Sequence, residues 1–236
     1  MSLDDVRAHL ARAAILLDFD GTLAPIVPEP EDARPWPGVV EMLADLSERA
    51  ALVAVISGRP EAFIRGVLDV HKLEVIGLYG LEGAPMLEAA IKADVHALAA
   101  TEEGARVEDK GVSLSVHVRG TPDPDAAAAR LRGPVAALAD RYGLAAFEGK
   151  RVIELAPPGA RKGGVVRQLI VRVEPAAAVY AGDDLEDREA YAALDDVTGP
   201  TCRIAVLGAE TPEELRGAAD VLVEGPPGLL EVLRTL

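Results

Sequence analysis

The chain has 236 residues, of which 50% are hydrophobic but only 3% are aromatic, so its cores must be built from Ala, Val, Leu and Ile. This length fits one large or two modest domains, and an aliphatic core favours α/β packing over an aromatic-rich sandwich. The net charge of −15 argues against a nucleic-acid partner and requires any phosphate site to carry its own local cations.

The N-terminal segment lacks the features of a signal peptide or a membrane span. It begins with Asp4 and Asp5 rather than with a basic region, and Asp18 interrupts the first apolar run. Cys202 is the only cysteine, which excludes an internal disulfide and fits a reducing compartment. We therefore expect a soluble cytoplasmic protein without a membrane contact.

Five short apolar runs predict the strands of a parallel sheet. The first four are each followed by a small, polar or glycine-containing turn and then by a helical pattern, as in parallel βα units. A fifth run near the C-terminus is expected to close the sheet. This order predicts a doubly wound α/β sheet with ligands at the carboxyl ends of its strands. The runs occupy residues 14–17, 52–56, 73–78, 176–181 and 203–207.

The pattern changes between Gly83 and Lys162, where an α+β segment is inserted into the parallel-sheet core. We expect a core domain of residues 1–83 plus 160–236 and an inserted cap domain of residues 84–159. The elements predicted within the insertion are a helix at 86–100, an alternating strand at 112–119, a helix at 125–142 and a strand at 151–155.

Two carboxylates directly follow the first predicted strand, in the segment Asp18-Phe19-Asp20-Gly21-Thr22. Side chains at i and i+2 on a strand end can face the same space, so one carboxylate can attack a phosphoryl group while the other moves protons. Gly21 lets the chain turn without a steric penalty. An isolated Asp-Gly pair is more often a simple turn with Asp20 capping a helix, so the assignment depends on the other motifs.

Ser57-Gly58-Arg59 follows the second predicted strand and precedes a helix that starts near Pro60. A hydroxyl beside a helix N-terminus is a natural anion site, although Ser is also an ordinary N-cap. Lys162 begins another predicted helix, where a lysine opposes the helix dipole unless an anion is bound. The alternative is a surface lysine. Together these groups predict a phosphate site made by Ser57, Gly58 and Lys162.

Acidic residues follow the strand predicted at residues 176–181, in Gly182-Asp183-Asp184 with Asp187 further on. The helix dipole alone explains acidic residues in a first helical turn, but Asp183 lies nearest the strand end and is explained less well. Oxygen ligands such as Asp18, the Asp20 backbone carbonyl and Asp183 suit Mg²⁺. Because the ends of parallel strands converge, we expect all these groups to meet in one site.

In order and spacing, these motifs resemble the four motifs of the haloacid dehalogenase superfamily. More narrowly, the chain resembles the trehalose-6-phosphate phosphatase family over nearly its whole length. The segments that carry this resemblance are Asp18-Phe19-Asp20-Gly21-Thr22-Leu23-Ala24-Pro25-Ile26, Ser57-Gly58-Arg59, Gly80-Leu81-Glu82, Lys110-Gly111, His117-Val118-Arg119, and Gly149-Lys150-Arg151-Val152-Ile153-Glu154 before Lys162-Gly163.

The resemblance implies a phosphatase core and a cap that closes over the substrate, trehalose 6-phosphate. It implies Asp18 as nucleophile, Asp20 as general acid and base, Ser57 and Lys162 on the phosphate, and Mg²⁺ as cofactor. We expect a monomer whose partner is a small sugar phosphate. The residues expected to support the metal ligands are Thr22, Asp184 and Asp187, and the cap residues expected to contact the sugar are Glu108, Lys110, Arg119, Lys150 and Glu154.

Three positions depart from the family pattern. Glu186 and Arg188 replace a Thr and a Glu in the family's Gly-Asp-Asp-x-Thr-Asp-Glu segment, which removes a hydroxyl and a carboxylate near the metal site. Tyr79 stands where a His is common, which places one interdomain or substrate contact in question.

Other functions remain open from the sequence. The same chemistry could act on sucrose phosphate, mannosylglycerate phosphate or glucosylglycerol phosphate, because the cap selects the sugar. A signalling receiver domain also uses a phosphorylated Asp, but it has no use for two carboxylates at one strand end or for a cap. A dinucleotide-binding module would need a Gly-x-Gly-x-x-Gly spacing that Gly77, Gly80 and Gly83 do not have. A catalytically inactive binding protein would have lost Asp18 or Asp20.

Overall fold

A computed structural model describes residues 3–149, 151–158, 161–209 and 211–236 of the chain. The chain divides into two compact units. The first unit consists of Met1–Gly80 and Arg161–Leu236, and the second unit is Leu81–Ala160.

The described residues form ten strands and nine α-helices. The strands are β1 (Ala13–Leu17), β2 (Leu52–Ile56), β3 (Glu74–Ile76), β4 (Arg106–Asp109), β5 (Leu114–His117), β6 (Ala145–Gly149), β7 (Val152–Ala156), β8 (Ala177–Gly182), β9 (Thr201–Leu207) and β10 (Val221–Glu224). The helices are α1 (Leu3–Arg7), α2 (Val39–Arg49), α3 (Glu61–Val67), α4 (Ala89–Ala99), α5 (Pro124–Tyr142), α6 (Lys162–Val173), α7 (Asp187–Ala193), α8 (Glu213–Arg216) and α9 (Gly225–Leu233).

The first unit is built on a six-stranded parallel sheet in the order β10-β9-β8-β1-β2-β3. Alternate residues of the buried strands face two separate apolar clusters. In β1, Ala13, Ile15 and Leu17 face the cluster that includes α2, α3 and α9, whereas Ala14 and Leu16 face the cluster that includes α6, α7 and α8. Helices therefore cover both faces of the sheet, which confirms the predicted doubly wound α/β fold.

The direction in which strands are added to the sheet reverses between β1 and β8. The strands β2 and β3 lie on one side of β1, and the later strands β8, β9 and β10 lie on its other side. Ligands in doubly wound folds bind at the carboxyl ends of strands at such a reversal point. The topology therefore places the expected site after β1 and β8.

The prediction that residues 203–207 close the sheet is wrong, because β10 pairs with β9 and forms the edge. Only Val223 is buried in this four-residue strand, and Leu222 and Glu224 are exposed. A short edge strand with one buried side chain lacks the continuous apolar run that marks the inner strands.

The second unit is an antiparallel sheet in the order β4-β5-β7-β6 with α4 and α5 packed on one face. The two predicted helices and the strands β5 and β7 are present, with β5 shorter than predicted. The chain also forms β4 and β6, which the sequence did not indicate because β4 has one apolar side chain and β6 has only one large one, Phe147. The helix α5 begins where Asp123 accepts the N–H of Ala126 and ends at Gly143, whose backbone is left-handed.

Among the described residues, no helix combines the length and the apolar composition needed to cross a bilayer.

Candidate active site

Three adjacent strands of the first unit carry the predicted site residues at their carboxyl ends. Asp18 follows β1, Ser57 follows β2, and Asp183 follows β8. The strand β1 pairs in parallel with both β2 and β8, so the three strand ends lie at the same edge of the sheet. Asp18 is 4% exposed and Lys162, the first residue of α6, is 2% exposed. These two groups thus lie within the protein rather than on its surface.

The carboxylate of Asp18 is buried beside one cation. Its Oδ2 lies 3.1 Å from Nζ of Lys162. Burial raises the pKa of Asp18 well above its ordinary value, and the nearby charges of Asp187, Asp183 and Asp184 raise it further, whereas Lys162 lowers it. A further positive charge in this site would stabilise Asp18 in the ionised form that a nucleophile needs.

The ammonium of Lys162 is surrounded by carboxylates. Besides Asp18, it contacts Oδ1 of Asp187 at 2.7 Å and lies 3.9 Å from Oδ1 of Asp184. Burial alone would lower the pKa of this lysine, but the three negative charges outweigh burial and hold the pKa well above its ordinary value. Lys162 is therefore a permanent cation inside an acidic site, where it can bind a phosphate oxygen.

The buried acidic groups have the chemistry of a metal site. Carboxylate oxygens of Asp18, Asp183 and Asp187 lie within 4.8 Å of one another. Hard oxygen donors of this kind fit Mg²⁺. Thr22 is completely buried, and its hydroxyl has no hydrogen-bond partner among the described residues, so it is available to a bound water or ligand.

Asp187 is fully buried, and each of its carboxylate oxygens accepts two hydrogen bonds. Oδ1 accepts them from Nζ of Lys162 at 2.7 Å and from the hydroxyl of Tyr180 at 2.8 Å. Oδ2 accepts them from the backbone N–H groups of Asp183 at 2.8 Å and Asp184 at 2.9 Å. A carboxylate has about four lone-pair sites. Asp187 is therefore suited to orient the residues around it rather than to bind a metal ion directly.

Gly21 lies directly beneath the carboxylate of Asp183. A Cβ on Gly21 would lie 2.2 Å from Oδ2 of Asp183, and the backbone of Gly21 has a φ of +76°. Both the space and the backbone conformation therefore require glycine here.

We expect Gly21→Ala to lower the kcat/KM of phosphate release by about 10-fold or more, because the added methyl group displaces the Asp183 carboxylate of the candidate metal site. Gly143→Ala is the matched control, since Gly143 is also left-handed, at a φ of +66°, but no neighbouring atom lies within 4 Å of its Cβ position. Both variants should lose stability, as measured by denaturant unfolding, and only Gly21→Ala should lose activity. Equal activity in the two variants would show that Asp183 is not held by this contact.

The side chain of Asp20 is held by Arg59, a residue to which the sequence assigned no role. Nε and Nη2 of Arg59 donate to the two carboxylate oxygens of Asp20, each at 2.7 Å. The guanidinium also stacks on Phe63 and donates to the carbonyl of Pro30. This bidentate pair fixes the orientation of Asp20. Arg59 was visible in the Ser57-Gly58-Arg59 segment, but a pairing across 39 residues has no local signal.

The loop after β3 supports the Ser57-Gly58 turn. Tyr79, one of the three departures, has a left-handed backbone at a φ of 51°, and its N–H donates to the carbonyl of Ser57. Its ring lies over Gly58, because a Cβ added to Gly58 would lie 2.7 Å from the hydroxyl oxygen of Tyr79. Tyr79 therefore packs against the predicted phosphate-binding turn.

The other two departures lie at the start of α7. Oδ1 of Asp184 accepts the backbone N–H of Glu186 at 2.9 Å. The side chain of Arg188 is exposed. The helix α7 therefore begins without a side-chain cap from Glu186.

In the second unit, three of the residues predicted to bind sugar form a polar cluster on the sheet. Oε1 of Glu154 accepts hydrogen bonds from Lys110 at 3.2 Å and from Ser113 at 2.8 Å. Glu108 contacts His117 at 2.9 Å. Glu108 is in register with Ser115, which is in register with Glu154, so these residues lie on one face of the sheet.

The other two predicted sugar-binding residues are Arg119 and Lys150. Arg119 is exposed and follows the C-terminal end of β5, whereas Lys110 lies near the N-terminal end of this strand. Lys150 lies outside the described residues. The roles of Ser113 and His117 in this cluster were not predicted, because polar residues on an alternating strand are the usual solvent-facing pattern.

The chain is similar in sequence to several known proteins. A family model described as trehalose-phosphatase matches residues 16–89 and 88–219. A protein of Escherichia coli K12 named trehalose-6-phosphate phosphatase is 27% identical over 228 residues, which cover 89% of this chain and 84% of that protein. A protein of Mycobacterium tuberculosis named as an uncharacterized glycosyl hydrolase is 35% identical over 206 residues. These cover 78% of this chain but only 15% of that protein, so this chain corresponds to a small part of it.

A solved structure shows the same fold. The C-terminal domain of a Candida albicans trehalose-6-phosphate phosphatase superposes with a TM-score of 0.83 at 23% identity, covering 99% of this chain and 94% of that one.

Proposed function

Because the chain belongs to the trehalose-phosphatase family of the haloacid dehalogenase superfamily, we propose that it hydrolyses trehalose 6-phosphate to trehalose and phosphate, with Asp18 as the nucleophile. The observation that supports this most directly is the buried contact between Asp18 and Lys162 beside the carboxylate of Asp183. The groups proposed as nucleophile, phosphate-binding cation and metal ligand thus lie close together at one edge of the sheet.

In the proposed reaction, Ser57, Gly58 and Lys162 hold the phosphate oxygens. An oxygen of Asp18 forms a bond to phosphorus as the bond from phosphorus to the sugar oxygen breaks. Asp20 donates a proton to the departing sugar oxygen. It then accepts a proton from the water that attacks the aspartyl phosphate, which releases phosphate and restores Asp18. The bidentate pair with Arg59 orients the ionised Asp20 carboxylate, which is the form that accepts the second proton. The first transfer requires Asp20 to be protonated and released from this pair.

We propose Mg²⁺ as the metal, held by Asp18, Asp183 and the backbone carbonyl of Asp20. When bound, Mg²⁺ supplies positive charge that offsets the repulsion between Asp18 and the substrate phosphate. Asp187, Asp184 and Thr22 would support these ligands.

We propose that the second unit, predicted as a cap domain at residues 84–159, selects the sugar. The polar face of its sheet carries Glu108, Lys110 and Glu154, which are connected by hydrogen bonds to Ser113 and His117. Arg119 and Lys150 stay predicted sugar contacts. The expectations of a monomer and of a cytoplasmic location also stay predictions.

The test is phosphate release with Mg²⁺ from trehalose 6-phosphate, sucrose 6-phosphate, glucose 6-phosphate and mannosylglycerate phosphate. We expect the highest kcat/KM with trehalose 6-phosphate. Glu154→Gln should reduce this preference by about 10-fold, because a charged hydrogen bond to a sugar hydroxyl contributes about 1.5–3 kcal/mol. Glu148→Gln is the control, since Glu148 lies on the neighbouring strand β6 in an exposed pair with Arg132.

A preference for another sugar phosphate would keep the phosphatase chemistry and reject the assigned sugar. Release from none of the four substrates would reject the proposed function.

A further inference from the structure

The hydroxyl of Tyr180 lies next to the site but belongs to none of its motifs. Tyr180 is on β8, two residues before Gly182, and its side chain is completely buried. Its ring packs edge-on against Tyr191, with centroids 5.9 Å apart, in the apolar cluster beneath α6 and α7. The hydroxyl donates to Oδ1 of Asp187 at 2.8 Å.

Lys162 donates to the same oxygen of Asp187, at 2.7 Å. The two donors differ in rigidity, because a lysine has four rotatable side-chain bonds whereas a packed tyrosine ring has two torsions and a fixed position. The rigid Tyr180 therefore holds the Asp187 carboxylate in place, and this carboxylate in turn positions the Lys162 ammonium.

The other oxygen of Asp187 accepts the N–H groups of Asp183 and Asp184. Any rotation of the Asp187 carboxylate would disturb these two bonds together with the contact to Lys162. One buried hydroxyl thus limits the freedom of a phosphate-binding cation and of the turn that carries a candidate metal ligand.

We propose that Tyr180 is a positioning residue of the active site: its hydroxyl fixes Asp187, and through Asp187 it fixes the Lys162 ammonium and the turn that carries Asp183. This inference rests on the proposed function, because the reaction is what the positioned groups serve.

Tyr180→Phe removes only the hydroxyl and keeps the ring packing. Tyr191→Phe is a matched control, because its hydroxyl is also buried but donates to the carbonyl of Ile204 at 2.7 Å. If both hydroxyls only stabilised the fold, the melting temperatures of the two variants would fall by similar amounts, and both variants would have the same activity. We expect the similar loss in melting temperature but different activities.

With trehalose 6-phosphate and saturating Mg²⁺, Tyr180→Phe should lower kcat by about 10-fold, with a smaller change in KM, whereas Tyr191→Phe should keep the wild-type values. Calorimetric titration of the metal-free proteins with Mg²⁺ should show roughly 10-fold weaker binding for Tyr180→Phe alone. Indistinguishable kcat and Mg²⁺ affinity in the two variants would overturn the inference.

The titration also separates the two proposals. If the wild-type protein binds Mg²⁺ but releases no phosphate from any sugar phosphate, the proposed function fails. The comparison of Mg²⁺ affinities then decides alone whether Tyr180 positions the site.

Discussion

Replacing Asp18 with Asn is expected to abolish phosphate release, lowering kcat by roughly 10⁴–10⁶-fold, while the protein keeps its fold. An amide cannot form the acyl phosphate, so the change removes the nucleophile and not the binding groups around it. The side chain keeps its size and its buried position after β1. The measurements are phosphate release with Mg²⁺ and circular dichroism during thermal unfolding.

Asp45→Asn is the matched control for the same chemical change. Asp45 lies on α2 in an exposed pair with Arg49, so this variant should keep wild-type activity. Near-normal turnover in Asp18→Asn would overturn the nucleophile assignment. Loss of the unfolding transition in that variant would show instead that Asp18 is needed for folding.

Lys162→Met is expected to reduce both activity and stability. The change keeps most of the side-chain length but removes the only cation that contacts Asp18 and Asp187 among the described residues. Leaving these buried carboxylates without a neighbouring cation should lower the free energy of unfolding by about 3–5 kcal/mol. Loss of a charge that stabilises the transition state should lower kcat by about 10²–10³-fold.

Denaturant unfolding with and without Mg²⁺ measures the stability effect. Added Mg²⁺ should restore part of the lost stability, because it brings positive charge back to the same carboxylates. Lys72→Met is the control, since Lys72 forms an exposed pair with Glu48, whose loss should cost less than about 1 kcal/mol. Equal stability of the two variants in the absence of Mg²⁺ would contradict the view that Lys162 neutralises a buried acidic cluster.

The inner strands and their polar ends were predictable from the sequence because burial on both faces leaves a continuous apolar run. The run in β1 stops at Asp18 and the run in β8 stops at Asp183, so the motif positions and the strand ends coincide. Parallel pairing then brings those ends together without further information. The short outer strands β4, β6 and β10 were missed because none of them has more than one buried residue, so none shows the long apolar run of an inner strand.

The pairings inside the site were not predictable in the same way. No sequence feature near Arg59 indicates that it forms a hydrogen bond with Asp20. Tyr180 lies in the apolar run of a buried strand, and nothing in that run indicates that its hydroxyl contacts Asp187. Asp187 was expected only to support the metal ligands, whereas it accepts four hydrogen bonds. Such contacts depend on side-chain geometry between distant segments, and sequence periodicity reports only burial.

The most direct test of the central claim is to trap the phosphoryl group on the wild-type enzyme. Borohydride added during turnover of trehalose 6-phosphate with Mg²⁺ reduces an aspartyl phosphate to homoserine, which peptide mass spectrometry locates. We predict homoserine at position 18, and none without substrate. Reduction at another carboxylate, or steady phosphate release with unmodified Asp18 at every quench time, would contradict the account.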